Sequence, residues 1–234
     1  MTIIFDVVRI LHIIGGFTAL LTFWIPIVTK KGGSIHVKAG WTYVWGMIIV
    51  AASAFYMGLY RLADPNSSQE LISFSLFLIF IAILSSSTAY YGIRVLRFKK
   101  RNRPHRNLMD LSFPFLLLSS AIGMSMYGSI QDFPLLIWFP LVGVFLAGTQ
   151  LNYWLRSTKR KVHWWFEHLA GMLGCSIATI TAFTVFGAPR LLQIESVSML
   201  LWFLPTIVLT PVIIGMSMYY DRKFNKKGKR VKTA

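Results

Sequence analysis

The sequence predicts an all-α fold, a polytopic membrane bundle of seven transmembrane helices, and three observations carry the prediction. Hydrophobic residues make up 55% of the 234 residues and charged residues only 14%, against about 25% charged in soluble domains. The charges are confined to short intervals between long apolar runs, the pattern of a chain that crosses a bilayer repeatedly. Those intervals also alternate in sign content, which fixes a topology.

An apolar run of about 20 residues spans the hydrocarbon core as a helix. Seven such runs follow one another at roughly 10–28, 41–60, 71–95, 111–127, 134–155, 164–186 and 197–220. Pro114, Pro140, Pro205 and Pro211 fall inside them and predict local kinks, since proline removes one helical hydrogen bond. The N-terminus has no Lys/Arg-rich segment and no small-residue cleavage pattern, so the first helix is expected to be retained. Residues 1–220 are read as one seven-helix domain, and 221–234 as a basic, disordered cytoplasmic tail.

Lys and Arg number 24 against 8 Asp and Glu. All but Arg9, Arg61 and Arg190 fall after the first, third, fifth and seventh runs. Cytoplasmic flanks carry the positive excess, which predicts an extracytoplasmic N-terminus and a cytoplasmic C-terminus in a plasma (inner) membrane. The net charge of +16 is thereby explained as attraction to anionic lipid headgroups at the inner face. No loop is long enough to build a base-reading surface, so nucleic acid is not an expected partner. The single cysteine, Cys175, lies in an apolar run and rules out an intramolecular disulfide.

Ionisable groups at membrane depth are costly and mark candidate sites. The stretch His163-Trp-Trp-Phe-Glu167-His168 holds two of the five histidines with an acid between them. Helical spacing puts Trp164, His168, Met172, Cys175 and Thr179 on one stripe, with Gly171 and Gly174 beside it. Small residues admit a neighbouring helix, so His168 is expected to face the bundle, as a metal or haem ligand or as a hydrogen-bonding partner across helices. His36, His105 and His163 are expected at the inner boundary at similar depth, with Glu167 and Asp110. Convergence of His36, His105, His163 and His168 would make a metal site, with Glu167 or Asp110 as its base; the ordinary alternative is four separate interfacial histidines. The two rings of the H-x4-H spacing stand about 140° apart on an ideal helix, which opposes chelation of one ion by His163 and His168 alone. His12 lies near the outer boundary beside Gly15 and Gly16, a second candidate haem ligand without a histidine at matching depth.

Polar groups in the inner halves, Ser85 to Thr88, Ser119, Ser120, Gln150 and Asn152, either join helices or line a water-accessible cavity. The inner aromatics, Tyr43, Tyr90, Tyr91, Trp154, Trp164 and Trp165 among them, read as an interfacial belt. A weak internal repeat matches Gly46–Phe55 with Gly174–Phe183. No P-loop, dinucleotide fingerprint, H-E-x-x-H, C-x-x-C or nucleophile elbow is present.

His-x-x-x-Gly occurs at His12/Gly16 and again, after a short basic loop, at His36/Gly40, and a later helix carries His168 and ends in Thr181-Ala-Phe183. This arrangement resembles bacterial predicted-membrane-protein families of unassigned function, over the first, second and sixth helices. The resemblance implies a membrane bundle and transfers no activity. Three functional classes follow: a metal- or haem-dependent membrane protein, a cofactor-free transporter or lipid/small-molecule binder with His and Glu relaying protons, and a zinc-dependent intramembrane hydrolase.

Overall fold

In the computed structural model, which describes residues 3–193 and 198–225, seven helical spans are each long and apolar enough to cross a membrane. They cover Ile3–Val28, Ser34–Leu62, Gln69–Phe98, Leu108–Ile130, Pro134–Leu155, His163–Leu192 and Met199–Phe224. No strand occurs among the described residues.

The first span is α1 (Ile3–Thr22) followed by the short α2 (Trp24–Val28). The break at Phe23 has a covalent cause: Pro26 has no N–H to offer the carbonyl of Thr22 one turn back. α1 starts a full two turns before the expected Ile10, because Asp6 and Arg9 neutralise one another across 3.0 Å on the helix surface. His12 therefore lies about 13 Å along its helix at 1.5 Å per residue, well inside the span.

The second span, α3 (Ser34–Leu62), begins seven residues before the expected Trp41, which draws His36 into its first turn. Gly32 at φ +74° makes the tight reversal from α2 into α3. α4 (Gln69–Arg94) runs back and ends in a 3₁₀ turn at Val95–Phe98. It is the central helix, touching α3, α5, α7 and α8. α5 (Leu108–Ile130) returns, capped by Asn107, whose side chain accepts from the amides of Met109 and Asp110. α6 (Pro134–Trp138) and α7 (Pro140–Leu155) together form the fifth span.

α8 (His163–Ala182) continues through a π-helical turn at Phe183–Gly187 into α9 (Ala188–Leu192). The π turn absorbs Pro189, which cannot donate to the carbonyl of Val185, and so the sixth span outruns the expected Phe186. α10 (Met199–Asn225) carries Pro205 and Pro211 and packs on α8 and the π turn. The helix runs through Asp221 to Asn225, so those first residues of the expected disordered tail are helical. Residues 226–234 of that tail lie outside the described residues.

The main core lies between α4, α5, α6 and α7, where Phe77, Phe80, Leu117, Ala121, Leu136 and Ala147 are buried. A second cluster, Ala19, Phe23, Tyr43, Val44, Met47, Ala89 and Cys175, joins α1, α3, α4 and α8. Small residues set the closest approaches. A Cβ on Gly46 would stand 2.9 Å from the Gly15 carbonyl of α1, and one on Gly171 only 2.6 Å from the Gly92 Cα of α4. Gly174, matched to Gly46 in the weak repeat, has nothing within 4 Å of its added Cβ, so the two glycines play different parts.

Candidate functional site

The histidines divide into separate groups. Among the described residues no set of three or more His, Cys, Asp or Glu side chains comes together as a metal site, so the expected four-histidine cluster of His36, His105, His163 and His168 is not assembled. The reason is azimuthal: similar depth along a membrane helix says nothing about which neighbour a side chain faces.

His105 and Asp110 form one group. The buried Asp110 carboxylate accepts from Tyr90 Oη at 2.8 Å and Arg94 Nε at 2.6 Å on Oδ1, and from Arg94 Nη2 at 3.2 Å on Oδ2. His105 Nε2 lies 2.6 Å from Oδ2. Four contacts fill the lone-pair sites of a carboxylate, so Asp110 fastens α4 to the start of α5 and has no free oxygen for a base's work. The His105 ring packs at a tilt against Phe98 and Trp154.

His163 belongs to a second group, with Nδ1 at 2.9 Å from Tyr153 Oη. It follows Val162, whose φ of +56° is strained for a β-branched residue and turns the chain so that His163 enters the bundle. Glu167 forms a third contact, accepting from Tyr91 Oη at 2.5 Å. His12 is apart from all of these: its Nδ1 meets Ser53 Oγ at 2.8 Å and the Val50 carbonyl at 3.2 Å, tying α1 to α3.

His36 and His168 do face one another. Their ring centroids are 6.4 Å apart with the planes inclined by 59°. His36 Nδ1 donates to the Pro26 carbonyl at 3.1 Å, and His168 Nδ1 to the Gly92 carbonyl at 2.7 Å. The Gly92/Gly171 contact brings α8 near enough to α4 for that second bond. Glu167 and His168 leave α8 about 100° apart, the first toward Tyr91 and the second into a different space.

That space is a cavity of about 440 Å³, bounded by α2, α3, the 3₁₀ turn, α8 and α10. Phe23, Ile27, Val37, Tyr43, Met172 and Leu173 give it an apolar interior; His36 and His168 form part of its wall, and Lys31 and Lys99 also line it. A smaller apolar extension of about 80 Å³ shares Phe23, Ile27, Leu173, Ser176 and Met216 and continues between α2 and α10. Lys31 Nζ donates to the Pro26 carbonyl at 2.8 Å and to that of Ile27, closing the C-terminus of α2. Burial holds its ammonium below the ordinary lysine range, because desolvation disfavours the charged form. A bound anion would offset that penalty. Lys99 Nζ lies 4.7 Å from the Trp164 ring centroid.

None of Ser85 to Thr88, Ser119, Ser120, Gln150 and Asn152 lines this cavity, whereas Ser176 does. Ser87 instead bonds Gln150 at 3.0 Å, while Ser85, Thr88, Ser119 and Ser120 return to carbonyls of their own helices. They join or satisfy helices locally. The sequence reading missed the parts played by Tyr90, Tyr91 and Arg94, because a belt aromatic and a juxtamembrane arginine look the same whether or not a carboxylate waits on the next helix. Gly40, one turn beyond His36, was the legible signal: an added Cβ there meets nothing within 4 Å, and the residue lines the cavity.

Comparison of the chain with protein-family models, with curated proteins and with solved structures gives no match, so the case for a function rests on this chain's own residues.

Proposed function

We propose that this integral membrane protein binds an amphiphilic small molecule with an acidic end in the cavity lined by His36, His168, Lys31 and Lys99. The observation that carries the reading is the cavity's mixed lining, mostly apolar with the two lysines Lys31 and Lys99. Its volume falls in the range of small-molecule and cofactor sites, about 300–1,000 Å³. The positive-charge bias supports an extracytoplasmic N-terminus, a cytoplasmic C-terminus and a plasma-membrane location. In that orientation the cavity opens at the inner leaflet, where anionic headgroups also gather at the basic loops. The chain is further proposed to belong with the bacterial membrane families whose His-x-x-x-Gly helices it resembles.

A metal- or haem-centred function narrows to the His36/His168 pair, the one place where two imidazoles share a cavity wall. A zinc hydrolase is disfavoured, because Asp110 is saturated by its partners and Glu167 is held by Tyr91. The same Tyr91 contact turns Glu167 away from a proton relay with His168.

Purification in mild detergent followed by native mass spectrometry tests the reading. A bound molecule bearing at least one acidic group is expected. The double variant Lys31→Gln, Lys99→Gln is expected to weaken its binding ~30-fold, at about 1 kcal/mol for each cation lost near a membrane surface. A chain that emerges empty, and that takes up no acidic amphiphile on titration, would refute the proposal.

A further inference from the structure

We infer that the ligand held between His36 and His168 is an iron tetrapyrrole, a haem with both histidines as axial ligands. The inference rests on the preceding reading of the cavity as a ligand site and specifies its occupant.

The tautomers come first. Nδ1 of His36 faces the Pro26 carbonyl and Nδ1 of His168 faces the Gly92 carbonyl. A carbonyl only accepts, so each Nδ1 carries the proton and each Nε2 is left with a lone pair. Imidazoles that ligate metals are commonly fixed this way, with the second nitrogen bonded to a backbone carbonyl.

The spacing comes next. Two metal–nitrogen bonds of about 2 Å, each extended by about 1 Å from the nitrogen to the ring centre, put trans imidazole centroids about 6 Å apart. The observed separation is 6.4 Å. A bare zinc ion would need further protein ligands to complete a tetrahedron, and no third His, Cys, Asp or Glu joins the pair among the described residues. A tetrapyrrole removes that difficulty, since it brings four equatorial nitrogens and asks the protein for two axial ligands only.

The cavity matches the rest of such a molecule. Its interior is apolar, as the macrocycle requires, and Lys31 and Lys99 suit the two carboxylates at one edge. Gly40 keeps the surface one turn from His36 clear, with nothing within 4 Å of an added Cβ.

The full chain, produced in haem-replete cells and purified in mild detergent, is expected to show a Soret band and about one haem per chain, six-coordinate and low-spin in both oxidation states. His36→Ala and His168→Ala are each expected to cut haem content at least tenfold, whereas His163→Ala and His12→Ala retain it. His168→Met is expected to keep haem with a raised reduction potential, because thioether replaces imidazole on the iron; this variant decides the question if the alanine variants fail to fold. Gly40→Phe is expected to fold but to bind no haem, since the added ring fills the cavity.

A wild-type chain without haem that carries another acidic amphiphile overturns the haem assignment and leaves the cavity reading standing. A chain that carries neither overturns both. Haem whose spectrum and potential are indifferent to changes at His36 and His168 overturns the axial assignment.

Discussion

Asp110→Ala is expected to destabilise the protein by about 3 kcal/mol, the low end of the range for removing one partner of a buried ion pair. The carboxylate is fully buried while Arg94 retains 21% side-chain exposure, so the stranded guanidinium recovers some hydration and the loss stays near that lower limit. Tyr90 and His105 lose their acceptor in the same step, and the loop before α5 loses its tie to α4. Thermal unfolding in detergent, followed by tryptophan fluorescence, measures the effect. Asp6→Ala is the control: its pair with Arg9 is 44–47% exposed, and such surface pairs contribute about 0–1 kcal/mol. Equal melting temperatures for the two variants would show that the Asp110 clasp does not hold the bundle together. Ligand binding by any Asp110→Ala protein that remains folded is expected to be unaffected, since Asp110 does not line the cavity.

Gly171→Val is expected to lose both stability and ligand. Its first added atom would stand 2.6 Å from Gly92 Cα, 2.9 Å from Gly92 N and 3.1 Å from the Thr88 carbonyl. All three are backbone atoms that no side-chain rotation can move, so α8 must separate from α4. Overpacking of this kind costs about 1–3 kcal/mol, and the His168 bond to the Gly92 carbonyl is stretched in the same movement. Gly174→Val tests the explanation, because nothing lies within 4 Å of its added Cβ and only the intrinsic preference of the helix changes. A Gly171→Val protein that melts with Gly174→Val, and binds ligand as well as it does, would sink the account of how His168 is positioned.

The legible and illegible parts of this chain separate on physical grounds. The spans at Pro134–Leu155 and Gln69–Phe98 were readable because length and hydropathy are properties of a single segment. Span starts were less so. α3 begins at Ser34 and α5 at Leu108, where caps and backbone geometry extend a helix past its apolar stretch, and that shift is what places His36 and Asp110 in first turns. Gly40 and Gly171 could be noticed as small residues near histidines. Which of them met a backbone and which opened a space depended on helices distant in sequence.

The histidines make the same point. Depth in the membrane follows from position along a helix, and on depth alone His36, His105, His163 and His168 were equivalent. Direction around the helix decides partners, and it is fixed only when α4 meets α8 at Gly92 and Gly171 and α2 folds back over α3 through Pro26, Lys31 and Gly32. By itself the sequence determined an all-α membrane bundle of seven spans, because apolar length is a local quantity. Only the tertiary structure decided that His36 and His168 share a cavity while His105 and His163 are bound elsewhere, because a site is made by the azimuthal meeting of helices, which no single segment encodes.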